Sequence, residues 1–139
     1  MADSDENDSR DAIAALVTRF YALFSNVDGR RPDLAEIHDL FIPEGLIVKA
    51  VGAVPEVYNL VGFIEPRMQL LTDGSLIDFS EWETKSRTDI FGNVGLRVSH
   101  YSKRGSVANK PFEAHGVNTM QFVRVCGVWK FACVSWFDY

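Results

Sequence analysis

The chain has 139 residues, 47% of them hydrophobic and 12% aromatic, with a formal net charge of −5. That length fits one domain with a sizeable core, and the apolar content excludes a disordered chain. It offers no run of roughly 18 apolar residues to span a membrane and no basic patch to hold nucleic acid, so neither partner is expected.

The charge is uneven. Asp3, Asp5, Glu6 and Asp8 against Arg10 account for −3 of it. Residues 1–8 therefore read as a frayed or disordered acidic tail ahead of a single domain over 9–139. An acidic start also argues against a signal peptide. Residues 9–25 carry Ile13, Leu16, Val17, Phe20, Tyr21 and Phe24 at helical spacing, capped by Asp8 or Ser9 and stopped at Asp28-Gly29. A short second helix is expected over 32–39, with Asp33 and Glu36 spaced as a capping box. Residues 45–51 read as a first strand. Asn59 caps a third helix running to about Leu71.

From Ile77 onward the pattern is strand: 77–90, 94–104, 112–125 and 128–138, with Gly92-Asn93 and Cys126-Gly127 as tight turns. Three helices followed by a long antiparallel meander predict an α+β domain, with helices packed on one face of a curved sheet.

Continuous alternation assigns the faces. In the last hairpin, pairing Val125 with Val128 sets Phe122 opposite Phe131, Met120 opposite Cys133 and Asn118 opposite Ser135, all on the face of Trp129 and Phe137. In the strand 79–90 the charged parity, Glu81 to Asp89, is assigned outward, and Trp82, Thr84, Ser86 and Thr88 inward. Closing at Gly92-Asn93 then turns Arg97, Ser99 and Tyr101 inward. The candidate pocket is Tyr21, Trp82, Thr84, Arg97, Ser99, Tyr101, Asn118, Met120 and Ser135. A satisfied polar network is the bland reading of that row; a ligand cavity is the functional one. Arg97 needs an anion, either a protein carboxylate or a ligand's acid group. Lys49 is a second cation to watch, with snorkelling as its simple fate.

The opposite face collects Leu96, Val98, Val117, Val134 and Trp136. An apolar outer surface on a single sheet predicts a homodimer through that face. The hairpin register separates Cys126 from Cys133 by about 20 Å at 3.3 Å per residue, which excludes an intrachain disulfide and suits a reducing, cytoplasmic compartment. His38, His100 and His115 are scattered, so no metal site and no cofactor are expected.

Phe20-Tyr21-Ala-Leu-Phe24, Leu40-Phe-Ile-Pro-Glu-Gly45 and Trp129-Lys-Phe-Ala-Cys-Val-Ser-Trp136, in this order of elements, resemble the NTF2-like superfamily and, within it, the bacterial SnoaL-like proteins. The resemblance spans about residues 9–138. It implies a cone-shaped α+β fold, a pocket between helices and sheet, and dimers. Its isomerase and cyclase members typically use an inward carboxylate. The corresponding Leu46-Ile-Val-Lys-Ala50 has none, and the inward parities assigned above hold no Asp or Glu. The expected function is thus binding of a small, mainly apolar, acid-bearing ligand toward Arg97. One alternative is an isomerase, cyclase or dehydratase using Tyr21 or Tyr101 as proton donor and a histidine as base. Another is a dimeric interaction module with a filled cone.

Overall fold

In the computed structural model, residues 2–139 are described, with side chains from residue 4 onward. The first helix, α1, covers Ala2–Ala22 and not 9–25. Met1 and the Asp3 side chain, part of the expected tail, lie outside the described residues. The acidic stretch that follows continues the helix, because a partner holds it: Arg124 reaches Asp5 Oδ1 at 3.2 Å and Ser9 Oγ at 3.3 Å, and Ser9 is buried. Acidic residues in a first turn also suit the helix dipole. The apolar stripe points inward as its spacing requires, with Ile13, Val17, Phe20 and Tyr21 almost fully buried.

Two short 3-10 turns, Val27–Gly29 and Leu34–Glu36, lead to the brief α2, Ile37–Leu40. Asp33 makes no side-chain cap here, so the expected capping box does not form. Asn26 ties this region together. Its buried amide donates to the Leu71 and Leu76 carbonyls at 2.9 and 2.7 Å, and its oxygen accepts from Phe79 N at 2.7 Å. Helix α3, Leu60–Thr72, is capped as anticipated, with Asn59 Oδ1 accepting from Gly62 N at 2.7 Å.

The sheet comprises β1 Phe41–Lys49, β2 Glu56–Asn59, β3 Leu76–Phe91, β4 Val94–Val107, β5 Lys110–Val125 and β6 Val128–Asp138. Their order is β2-β1-β6-β5-β4-β3. The sheet is mixed, not wholly antiparallel: β1 runs parallel to β6. Most of the chain lies between those two strands, so no hairpin dictates their relative direction. The hairpin turns are tight. Cys126 and Gly127 both take positive φ, 50° and 82°, and so do Ala108 and Asn109, which joins β4 to β5 where a longer polar loop had been expected. The core is aromatic at its centre. Phe131 stacks on Phe41 at 4.9 Å between centroids and meets Phe122 at 4.7 Å and Phe20 at 5.2 Å. Each such ring contributes about 1.5–3 kcal/mol on burial.

Candidate functional site

Two extra residues decide what faces inward. Near the β3–β4 turn the pairing is as expected: Ile90 with Gly95, Thr88 with Arg97, Ser86 with Ser99. It then skips. Lys85 pairs with His100 and Glu83 with Tyr101, leaving Thr84 over. A bulge of one residue reverses the alternation beyond it. Glu83 and Glu81 consequently turn inward, while Trp82 goes outward, 39% exposed and under Arg104 at 5.7 Å. Thr84 is exposed and bonds the His100 carbonyl at 3.3 Å. Neither residue belongs to the pocket predicted for it.

The β5–β6 hairpin skips in the same way. Phe122 pairs with Phe131, but Gln121 pairs with Cys133, leaving Ala132 over. Met120 then faces Val134 and Asn118 faces Trp136. Val134 and Trp136 leave the outer face where the dimer surface had placed them; Val134 is 1% exposed. Ser135 and Phe137 move outward instead, Ser135 opposite Thr119. Leu96, Val98 and Val117 remain on the outer face.

Between this sheet and the helices lies a cavity of about 360 Å³. Phe20, Phe24, Ile47, Phe63, Leu76 and Phe79 form much of its wall, with Val134 and Trp136. Its polar groups are Glu81, Tyr101, Lys103, Asn118 and Asp138, together with Lys49, Arg67 and Ser75. Glu81 sits directly across from Lys103 in the β3–β4 ladder. Burial pushes its carboxyl up to about 7, against the opposing pull of Lys103, and Asp138 adds to the rise. Lys103 Nζ donates to Asp138 Oδ1 at 3.0 Å, and Tyr101 Oη donates to the same oxygen. Burial, then that hydrogen bond and the Asp138 charge, push the Tyr101 phenol up, so it stays protonated. Gly116 makes the arrangement sterically feasible: a Cβ there would overlap Tyr101 Oη and the Phe137 carbonyl oxygen.

Of the remaining predicted residues, Met120 is buried in the core outside the cavity lining, and Arg97, Ser99 and Tyr21 stand behind the cavity wall in a closed network. Arg97, 8% exposed, forks onto Glu83, with Nε at 3.0 Å from Oε2 and Nη2 at 2.5 Å from Oε1; its Nη1 donates to Thr88 Oγ1 at 2.8 Å. The anion that Arg97 requires is thus the protein's own carboxylate, and the guanidinium is not directed at a ligand. Ser99 Oγ donates to Glu83 Oε2 at 2.6 Å, so it must accept from Tyr21 Oη at 2.7 Å. Tyr21 in turn accepts from Asn118 Nδ2 at 2.9 Å. Burial pushes the Tyr21 phenol up despite those bonds. Both tyrosine protons are therefore committed, one to Ser99 and one to Asp138, which removes the proton donors that the enzyme alternative had assumed. Its histidine base is also out of place: His100 bonds Tyr139 Oη at 3.1 Å and His115 bonds Ser102 Oγ at 2.7 Å, on strand positions of outward parity. Among the described residues no group of three or more His, Cys, Asp or Glu gathers as a metal site.

Sequence reasoning missed Glu81, Glu83, Asp138, Lys103 and Arg67. For Asp138 a signal existed. The large apolar residues of β6 fall at 129 and 131 and then at 134 and 136, a change of phase that marks the skipped residue. In β3 both parities are polar around position 84, and no such signal exists.

The chain has an NTF2-like, cystatin-like α+β fold. It superposes on an NTF2-like protein with a cystatin-like fold from Novosphingobium aromaticivorans with a TM-score of 0.75 at 14% identity, covering 99% of this chain and 86% of that one. The hexachlorocyclohexane dehydrochlorinase LinA type 3 of Novosphingobium barchaimii gives 0.73 at 20% identity, over 98% and 90%. An NTF2-like superfamily protein of Salmonella enterica gives 0.73 at 10% identity, over 98% and 92%. In sequence, a dehydratase of Pestalotiopsis microspora is 42% identical over 78 residues, covering 50% of this chain and 48% of that protein. The match thus spans about half the length of this curated relative. No family profile matches the chain.

Proposed function

We propose that the cavity binds a small, mainly apolar molecule and transfers a proton on it, with Glu81 as the base. The observation that carries this reading is the placement of Glu81 on the wall of an apolar cavity, across the ladder from Lys103. An aliphatic and aromatic wall keeps water from the carboxyl, and a base works best when its affinity for protons lies near the working pH. Lys103, paired with Asp138 and directly across the ladder from Glu81, sets positive charge beside the place where negative charge develops. The reaction class is removal of a proton from carbon, with the electron pair moving to an adjacent acceptor or expelling a leaving group. The names of a dehydratase among its relatives and a dehydrochlorinase among its structural likenesses accord with that class. A filled cone is the weaker reading, given the volume of the cavity.

A generic carbon acid tests the base without knowledge of the natural substrate. With 5-nitrobenzisoxazole, loss of the ring C–H proton to Glu81 breaks the N–O bond and releases a coloured phenolate. Wild type should exceed the buffer rate, with activity rising through about pH 7, and Glu81→Gln should abolish the excess. Equal rates for the two proteins, or none above buffer, would remove Glu81 from this role.

Two further parts of the reading belong here. Leu46, Val57, Leu96 and Phe137 are 42%, 60%, 39% and 46% exposed, and with Val98 and Val117 they give the outer sheet face an apolar surface suited to a second copy of the chain. Two free thiols, with Cys126 exposed at a turn, favour a reducing compartment such as the cytoplasm, and no helix among the described residues is long and apolar enough to cross a membrane. Affinity with the SnoaL-like proteins specifically rests on the residue patterns of α1, β1 and β6.

A further inference from the structure

We infer that Arg67 is the anchor for an acid group on the molecule the cavity takes, so that the ligand class is a small apolar body carrying a carboxylate at one end. This rests on the cavity being a ligand site and adds the ligand's charge and its orientation.

Arg67 lines the cavity from α3, one helical turn beyond Phe63. Its guanidinium carbon lies 4.3 Å from the Phe63 ring centroid, 5.1 Å from Tyr58 and 5.4 Å from Trp136. Three rings thus surround the half-buried cation. Among the described residues its N–H donors have no acceptor, and those donors match a carboxylate in fork geometry. Two other cations near the cavity already hold carboxylates. Arg97 is forked onto Glu83, and Lys103 is bound to Asp138. Among the described residues Arg67 has no carboxylate within ion-pair distance. A cation partly stripped of water by aromatic neighbours gains more from an anion than one in bulk solvent does.

The charge of the cavity is also polarised. Lys49 pairs with Trp136 in the β1–β6 ladder, which brings a second cation to the end where Arg67 stacks. Its own ion pair, to Glu56, is long at 3.8 Å and exposed. Glu81 and Asp138 occupy the other end. Trp136 and Asp138 are two residues apart on one face of β6, about 7 Å along the strand. A ligand carboxylate would be repelled beside Glu81 and Asp138 and attracted beside Arg67. Orientation follows: acid group to Arg67, reacting carbon toward Glu81.

If Arg67 only covered aromatic surface, its substitution would alter stability without altering charge preference. Binding of 2-naphthoate and of 2-naphthamide, followed by calorimetry and by tryptophan fluorescence at neutral pH, separates these cases. The two probes share shape and differ in charge. Wild type should hold the carboxylate about tenfold or more tightly than the amide, as expected for a charge-assisted pair. Arg67→Leu should bring the carboxylate down to the level of the amide, and Arg67→Lys should keep part of the preference. Equal binding of the two probes by wild type overturns the inference while leaving the cavity as a ligand site, and that comparison needs no folded variant. An undiminished preference in Arg67→Leu overturns it equally. Failure of both probes to bind wild type removes the ligand-site reading, and the anchor with it.

Discussion

Replacing Glu81 with glutamine separates burial from charge, because the amide keeps the size of the carboxyl and never ionises. A carboxyl moved from an ordinary 4.5 to about 7 binds its proton more tightly in the folded chain than in the unfolded one. Folded stability owed to that proton is fully present below about pH 4.5 and is lost as the pH rises through about 7. At 1.36 kcal/mol per pH unit the whole loss is about 3 kcal/mol. That is an upper figure, since the carboxyl keeps a partial opening onto the cavity. Urea unfolding of wild type and Glu81→Gln, followed by tryptophan fluorescence between about pH 4 and about pH 9, should therefore give curves that diverge. The difference should grow in favour of the glutamine variant between about pH 4.5 and about pH 7, then level off. A constant difference across that range would mean that Glu81 titrates as it does in water. The argument for a desolvated base would then fail, whatever the fold.

Gly116→Ala should cost about 2–3 kcal/mol or more in the same unfolding measurement, because its methyl group would overlap the Phe137 carbonyl as well as Tyr101 Oη, and backbone cannot rotate aside; a loss below about 0.5 kcal/mol would show that Tyr101 need not sit where it does. Static light scattering should give a dimer, and Val98→Glu, on the outer face, should yield monomers; a monomeric wild type removes the outer-face reading. Trp136→Glu, which continuous alternation would have selected for the same purpose, would instead place a charge among Phe63, Arg67 and the cavity wall.

Much of the frame was legible because it depends on local periodicity. The α1 stripe, the Asn59 cap and four long strands follow from spacing alone, and the Cys126-Gly127 turn follows from residue type. What was not legible depends on counting residues across strands. The parity of β3 between Lys85 and Arg87 was read straight through to Glu81, and one residue at Thr84 made that reading wrong from there back to the next register shift, between Ile77 and Ser80. The same error, at Ala132, misplaced Val134, Ser135 and Trp136. Alternation is a relative signal; it carries no memory of an inserted residue unless the apolar positions change phase, as they do only in β6. The β2 strand was missed for a different reason: it is four residues long and mostly exposed, so it lacks a buried parity. Arg67 was invisible because its significance lies in three rings from three separate elements.

The two bulges have an implication for how such a cavity changes over generations. The identity of the wall is set by phase as much as by side chains. Losing one codon at position 84 would present Trp82 in place of Glu81 and Glu83, and losing one at 132 would withdraw Asp138 and Trp136 together. Each event removes one side chain from outside the cavity lining and alters no other, yet each exchanges a whole row of the lining. For this sheet, a one-residue insertion or deletion is a larger chemical step than any point substitution.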